Sequence, residues 1–170
     1  WIETTTVFYK GEQKSVIQKQ CYYAVDGKLT KVETGGSTPA EKKRGIKGKI
    51  AENKKEEMSD YMKKAIEKIH TYLPPAPEKI QKIYNDGKTT IQIVEPNTKF
   101  KLSFPDYNES SDMLSVTVNK PNQKIMSLEV STSVDDPKEK VVFNVNYSDL
   151  PDGTQYASKT ILDAQAKDVK

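Results

Sequence analysis

The spacing of hydrophobic residues along the chain changes character twice. In the opening segment, β-branched and aromatic residues form short runs, and the stretches KGEQ and VDGK interrupt them. Glycine between such runs is typical of hairpin turns, because tight turns require a positive φ that glycine adopts readily. The pattern therefore predicts strands over about residues 4–33, joined by two hairpin turns.

A helical spacing replaces this pattern from about residue 52. Apolar residues recur at steps of three and four, which places them on one stripe of an amphipathic α-helix over about residues 52–73. The stripe consists of Met58, Tyr61, Met62, Ala65, Ile66, Ile69, Tyr72 and Leu73. Pro74 and Pro75 should end this helix, because proline lacks the amide hydrogen and disfavours helical geometry in the residue before it. A second helix is predicted over about residues 77–85, with Pro77 in its first turn.

After Gly87 the period becomes two, which predicts a strand meander over residues 88–166. Phe100, Leu102 and Phe104 show the alternation, and the breaks NKPNQK, DDPKEK and DLPDGT are short. Short connections join antiparallel neighbours, and an alternating sheet needs a cover on its apolar face. We therefore expect an α+β fold in a single domain of residues 1–170. Its antiparallel up-and-down sheet should be covered by a central two-helix insertion.

Residues 34–51 show neither period and predict a basic arm. Its candidate contact residues are Lys42, Lys43, Arg44, Lys47 and Lys49. Either the arm is simply solvated, or it contacts an anionic membrane surface or a protein partner. Clustered lysine beside an amphipathic helix favours surfaces over bases, and no aromatic RNA-binding strand motif is present. Nucleic acid is therefore not an expected partner.

Composition narrows the function classes only slightly. The 170 residues are 35% hydrophobic and 30% charged, with a net charge of +3 and one cysteine. The charge is too small to make the whole chain a nucleic-acid binder, and Cys21 has no partner for an internal disulfide. No apolar run reaches the roughly 20 residues of a membrane span, and no signal peptide is visible in the chain.

Candidate chemistry is sparse. His70 and Cys21 are the single histidine and the single cysteine, so a nucleophile–base pair would have to use that one imidazole. Both are predicted to be structural, and zinc ligands are lacking. The loops PDYNESSD and VDDPKEK should lie at the same end of the meander, where their oxygens could suit calcium, but nearby lysines favour solvated turns. We expect no enzymatic activity, no metal and no cofactor.

Two segments carry a resemblance to known proteins. KKRGIKGKIAENKKEEMSDYMKKAIEKIHTYLPPAPEKIQ and LPDGTQYASKTILDAQAK resemble uncharacterised exported bacterial proteins, and the order of elements is similar to the lipoprotein-carrier (LolA-like) fold. The resemblance implies a curved half-barrel whose concave side, partly filled by helices, can hold an acyl chain or another apolar ligand. It also implies a periplasmic or extracellular location.

The expected function follows from this combination. The first hypothesis is a non-enzymatic envelope or secreted protein that binds an apolar, lipid-like ligand between the helices and the sheet. The pocket candidates are Met58, Tyr61, Met62, Ile66, Phe100 and Leu102. The helical stripe could equally be plain core, since methionine fills irregular gaps in either setting. The alternative hypothesis is a structural or accessory subunit of a larger extracytoplasmic assembly, with no small ligand.

Overall fold

A computed structural model describes residues 1–37 and 46–165, without the side chains of residues 46–52 and 54. The described residues form nine strands and two helices. Contacts divide the chain into two compact units, residues 1–51 and 52–170. The α+β fold class is therefore confirmed, whereas the single-domain count stays a prediction.

The first unit contains a three-stranded antiparallel sheet in chain order. Its strands are β1 (Ile2–Tyr9), β2 (Glu12–Tyr23) and β3 (Leu29–Ser37). Gly11 and Gly27 have positive φ values of 79° and 78° in the two turns, so both predicted hairpins are confirmed. Cys21 is buried on β2, as expected for a small strand residue.

The third strand extends into the segment that was predicted as an arm. β3 continues to Ser37, and Ile17 lies opposite Gly36 in the register. A Cβ on Gly36 would lie 2.5 Å from the carbonyl oxygen of Val16, so only glycine permits this close approach of the two backbones. The predicted boundary at residue 34 was wrong because the two glycines were interpreted as linker residues.

The two helices lie between the sheets in chain order. They are α1 (Ile46–His70) and α2 (Pro77–Asn85). α2 has the predicted bounds, and Pro77 lies in its first turn. α1 begins at Ile46 rather than near residue 52, so its first turns include Gly48 in the segment that was predicted as an arm because it showed neither hydrophobic period. No helix in the described part of the chain is long and apolar enough to cross a membrane.

The second unit contains a six-stranded antiparallel sheet whose order follows the chain. Its strands are β4 (Thr90–Glu95), β5 (Lys99–Pro105), β6 (Met113–Asn119), β7 (Lys124–Ser133), β8 (Lys140–Asp149) and β9 (Gln155–Ala164). Each strand pairs with its chain neighbours, which confirms the predicted up-and-down meander.

The core of the second unit joins helix and strand residues. One buried cluster consists of Ala65, Ile69, Tyr72, Ile83, Phe104, Tyr107, Leu114, Val116, Leu128, Val130 and Val141. The first three belong to the stripe of α1 and the segment that follows it, and Ile83 belongs to α2. Strand residues in the same cluster alternate along β6 and β7, as an amphipathic sheet requires.

The loop between β5 and β6 holds the segment that joins the two helices. The backbone amide of Ala76 donates a hydrogen bond of 2.6 Å to the phenol oxygen of Tyr107. The side-chain amide of Asn108 donates to the backbone oxygen of Thr71 at 3.1 Å. The turn after α1 is therefore fixed from both of its sides by a loop that lies more than thirty residues further along the chain.

Candidate ligand-binding groove

The register of the second sheet brings apolar residues of three strands side by side. Ile91 of β4 lies opposite Leu102 of β5, which lies opposite Val116 of β6. One pair further along the strands, Phe100 lies opposite both Ile93 and Val118. Residues directly opposite each other point to the same face of a sheet. These strands therefore present a continuous apolar row on one face.

Part of this row forms an open groove with a volume of about 440 Å³. Its walls come from β4, β5, β6 and the turn after β6. The lining residues are Ile91, Phe100, Leu102, Val118, Lys120 and Gln123. Volumes of roughly 300–1,000 Å³ are usual for small-molecule sites.

The groove begins where the core of the same sheet face ends. Phe104 and Phe100 are four residues apart on β5 and therefore share a face. Phe104 is only 4% exposed and belongs to the core cluster, whereas Phe100 is half-buried in the groove. Ile91, on the neighbouring edge strand, is 64% exposed. The face is thus covered at one end and open to solvent at the other.

The opposite face of these strands is polar. Lys101 pairs with Glu129 across β6 at 2.9 Å, and the hydroxyls of Ser103 and Ser115 share a hydrogen bond of 2.9 Å. These residues alternate with the groove residues along the strands. The contrast between the two faces makes the groove a distinct apolar feature rather than a general property of the sheet.

One cation lies at the end of the groove. The Lys120 ammonium is 5.6 Å from the centre of the Phe100 ring, a distance typical of a cation–π contact. Gln123 follows in the same turn and adopts a φ of 57°. The groove therefore combines four apolar side chains with one positive charge and one amide.

A second cavity lies between α1 and the last two strands. It is lined by Ile66, Ile69, His70, Leu73, Phe143 and Leu162, and its volume is about 90 Å³. This volume is below the usual range for ligand sites. His70 is exposed at the end of α1, as expected for a boundary histidine.

The predicted pocket residues do not come together in one site. Phe100 and Leu102 line the groove, and Ile66 lines the smaller cavity. Tyr61 is buried, and Met58 and Met62 are half-buried on α1, outside the lining of both cavities.

The sequence prediction missed the other groove residues, Ile91, Val118, Lys120 and Gln123. Ile91 and Ile93 alternate within TTIQIVE, a signal for a strand that could pair with β5.

Most side chains of the predicted basic arm lie outside the description. Lys42, Lys43 and Arg44 lie outside the described residues. The backbone of Lys47 and Lys49 belongs to α1, and their side chains are outside the description. Their role in contacting a partner or a membrane surface stays a prediction.

The acidic loops are engaged by lysines of α1. Lys64 pairs with Asp135 at 2.7 Å, and Lys68 pairs with Glu109. These two lysines lie one turn apart, so the loops after β5 and β7 meet the same helix face. Among the described residues there is no group of three or more histidine, cysteine or acidic residues placed to hold a metal ion.

The groove is therefore the better candidate ligand site of the two cavities. It is an open apolar groove of about 440 Å³ with the Lys120 ammonium at one end. The resemblance to the lipoprotein carriers stays a prediction. Comparisons of the chain with protein-family models, with curated proteins and with solved structures gave no match.

Proposed function

We propose that this protein binds an apolar, lipid-like ligand in the groove on the six-stranded sheet, as a non-enzymatic envelope or secreted protein. The observation that carries the proposal is the groove of about 440 Å³, with its four apolar lining residues. Apolar side chains that stay partly exposed together, beside an otherwise covered face, are typical of interaction sites.

The energetics of binding favour an extended hydrocarbon. Burial of apolar surface contributes about 25 cal/mol per Å², or roughly 0.8 kcal/mol for each methylene group. The backbone that forms the groove belongs to a hydrogen-bonded sheet, so it is ordered before the ligand arrives. A preformed site lowers the entropic cost of binding.

The proposed ligand position differs from the one expected from sequence. The sequence placed the ligand between the helices and the sheet, where the described structure has a buried core and the cavity of about 90 Å³. The proposal places it beside the helices, on β4 to β6. A half-barrel curvature of the six-stranded sheet would deepen the groove, and it belongs to the proposal together with the envelope location.

The test uses two isoleucines on the two edge strands. Ile91 lines the groove, whereas Ile161 on β9 is 44% exposed and lies opposite Asn144, on the polar face. We expect a fluorescent fatty-acid probe to bind the wild type, Ile91→Ala to weaken binding several-fold, and Ile161→Ala to leave it unchanged. Absence of probe binding by the wild type would refute the proposal. Equal affinities of all three proteins would refute the groove as its location.

A second candidate function rests on the first unit. Trp1, Phe8 and Tyr23 are each at least 60% exposed on or beside its three-stranded sheet. Exposed aromatic residues favour a protein interface, which fits the structural or accessory subunit hypothesis. Native mass spectrometry of protein purified from its own host separates the two functions. Copurified lipid supports the groove proposal, whereas a stable protein partner and a lipid-free mass support the subunit.

A further inference from the structure

We propose that the ligand is a single-chain amphiphile with an anionic head group, whose chain lies in the groove and whose head group meets the Lys120 ammonium. The inference rests on the proposed function and specifies the chemical class of its ligand.

The position of Lys120 supports this assignment. Lys120 directly follows β6, and it contributes to the groove lining together with Phe100. Its ammonium lies 5.6 Å from the centre of the Phe100 ring, so the charge is held beside the apolar surface rather than away from it. The side chain is exposed and can therefore meet a head group at the solvent end of the groove.

The ion pairs of the neighbouring lysines supply the second argument. Lys99 pairs with Glu95 at 2.8 Å, Lys101 with Glu129 at 2.9 Å, and Lys124 with Asp149 at 2.9 Å. These three lysines surround the groove strands and the turn after β6, and each charge is already compensated.

Lys120 differs from these three neighbours. Within the described part of the chain, no carboxylate pairs with it. Among the described residues, the positive charge at the end of the groove is therefore not paired with a carboxylate. Charge complementarity favours an anionic head group over a neutral or cationic one.

The experiment compares three dodecyl amphiphiles at pH 8, below their aggregation concentrations. Tridecanoate, dodecan-1-ol and dodecyltrimethylammonium share a dodecyl chain and differ in head-group charge. Each is titrated against the protein loaded with neutral Nile red, and displacement gives its affinity. We expect tridecanoate to bind about threefold to fivefold more tightly than the alcohol, the range of a solvent-exposed ion pair. The cationic amphiphile should bind most weakly.

Two lysine variants complete the test. Lys120→Gln should remove the preference for tridecanoate over dodecan-1-ol. Lys138→Gln makes the same change in net charge within the connection after β7, at the other end of that strand from the Lys120 turn. It should bind all three amphiphiles as the wild type does. Thermal unfolding confirms that both variants are folded.

The outcomes separate the two proposals. Binding of all three amphiphiles with equal affinity to the wild type would overturn the anionic head group and leave apolar binding standing. An equal loss of all three in Lys120→Gln would also overturn it, because the lysine would then act through its methylene groups. If none of the three binds, the proposed function and this inference both fall.

Discussion

The phenol oxygen of Tyr72 lies 2.6 Å from Oδ2 of Asp112, and both side chains are buried. The same carboxylate accepts the backbone amides of Tyr107, Asn108 and Glu109 at 2.6, 2.9 and 2.8 Å. Asp112 therefore closes the loop between β5 and β6 and ties it to Tyr72, in the turn directly after α1. With these four donors, both oxygens of the buried Asp112 carboxylate have hydrogen-bond partners.

Replacing Asp112 should destabilise the second unit strongly. In Asp112→Asn, a side-chain NH2 group replaces one of the two carboxylate oxygens. At least one of the three backbone N–H groups that donate to the carboxylate therefore loses its acceptor. We expect a loss of about 2–3 kcal/mol in the free energy of unfolding, measured with denaturant. Asp152→Asn, in the exposed turn before β9, is the matched control and should change stability far less. Equal stability of both variants would contradict the role assigned to Asp112.

Tyr72 should make stability depend on alkaline pH. Burial and the hydrogen bond to Asp112 raise the pKa of the Tyr72 phenol well above its ordinary value of about 10. The unfolded chain therefore ionises this group first. Its contribution is fully present below about pH 10 and decreases as the pH rises toward the folded-state pKa.

The measurement compares wild type with Tyr72→Phe. Below about pH 10 the variant should be less stable by about 1–2 kcal/mol, the cost of a lost buried hydrogen bond. The difference should narrow as the pH rises above about 10, because only the wild type loses this contribution. A constant difference from pH 8 to pH 11 would contradict the prediction.

Tyr107 should organise the turn between the helices. Its phenol accepts the Ala76 amide at 2.6 Å, and its ring stacks on Tyr72 with centroids 5.8 Å apart. Tyr107→Phe keeps the ring and removes only the acceptor. We expect a loss of about 1–3 kcal/mol on denaturant unfolding, since the part-buried amide is left without a partner. Tyr84→Phe on α2, which is 61% exposed, should have almost no effect. If the two variants behave alike, the hydrogen bond does not hold the turn.

The two lysine pairs between α1 and the acidic loops should differ in strength. The Lys68 side chain is 18% exposed and that of Lys64 is 57% exposed, so the Lys68–Glu109 pair is screened less by solvent. Lys68→Met should lower stability by up to about 1 kcal/mol, and Lys64→Met should cause no measurable loss. Unfolding at low and high salt checks the cause, because the Lys68 effect should shrink as salt rises. An effect of Lys68→Met that does not change with salt would indicate lost packing instead.

Most of the secondary structure could be predicted because the hydrophobic period is a local property. The step of three and four along α1 and the alternation along β5 to β8 both reflect which side chains are buried, and the structure confirms both. Misplaced boundaries occurred at glycines. Gly36 lies in a strand because β2 approaches closely, and Gly48 lies within α1, and neither effect is visible in local propensity.

The site was harder to predict because it depends on where the cover of the sheet ends. Phe100 and Phe104 are the same residue type and lie on the same face of β5, yet Phe100 lines the groove and Phe104 is buried. Phe104 belongs to the core cluster that includes residues of both helices, and Phe100 does not. Met62 and Phe100 were expected to line one pocket, but Met62 lies outside the groove that Phe100 lines.

The two phenylalanines of β5 therefore provide the sharpest comparison of core and site. Phe104→Ala removes a ring that is 4% exposed and should cost about 3–5 kcal/mol, because it leaves a cavity among Leu114 and the other core residues. Phe100→Ala removes a ring from an open groove, where solvent can enter, so its cost should be clearly smaller. Denaturant unfolding measures both losses, and the fatty-acid probe measures binding under conditions where each variant is folded. We expect Phe100→Ala to weaken probe binding more than Phe104→Ala does, the reverse of their order in stability. A Phe100→Ala variant that loses as much stability as Phe104→Ala, with unchanged probe affinity, would show that the open end of the sheet belongs to the core.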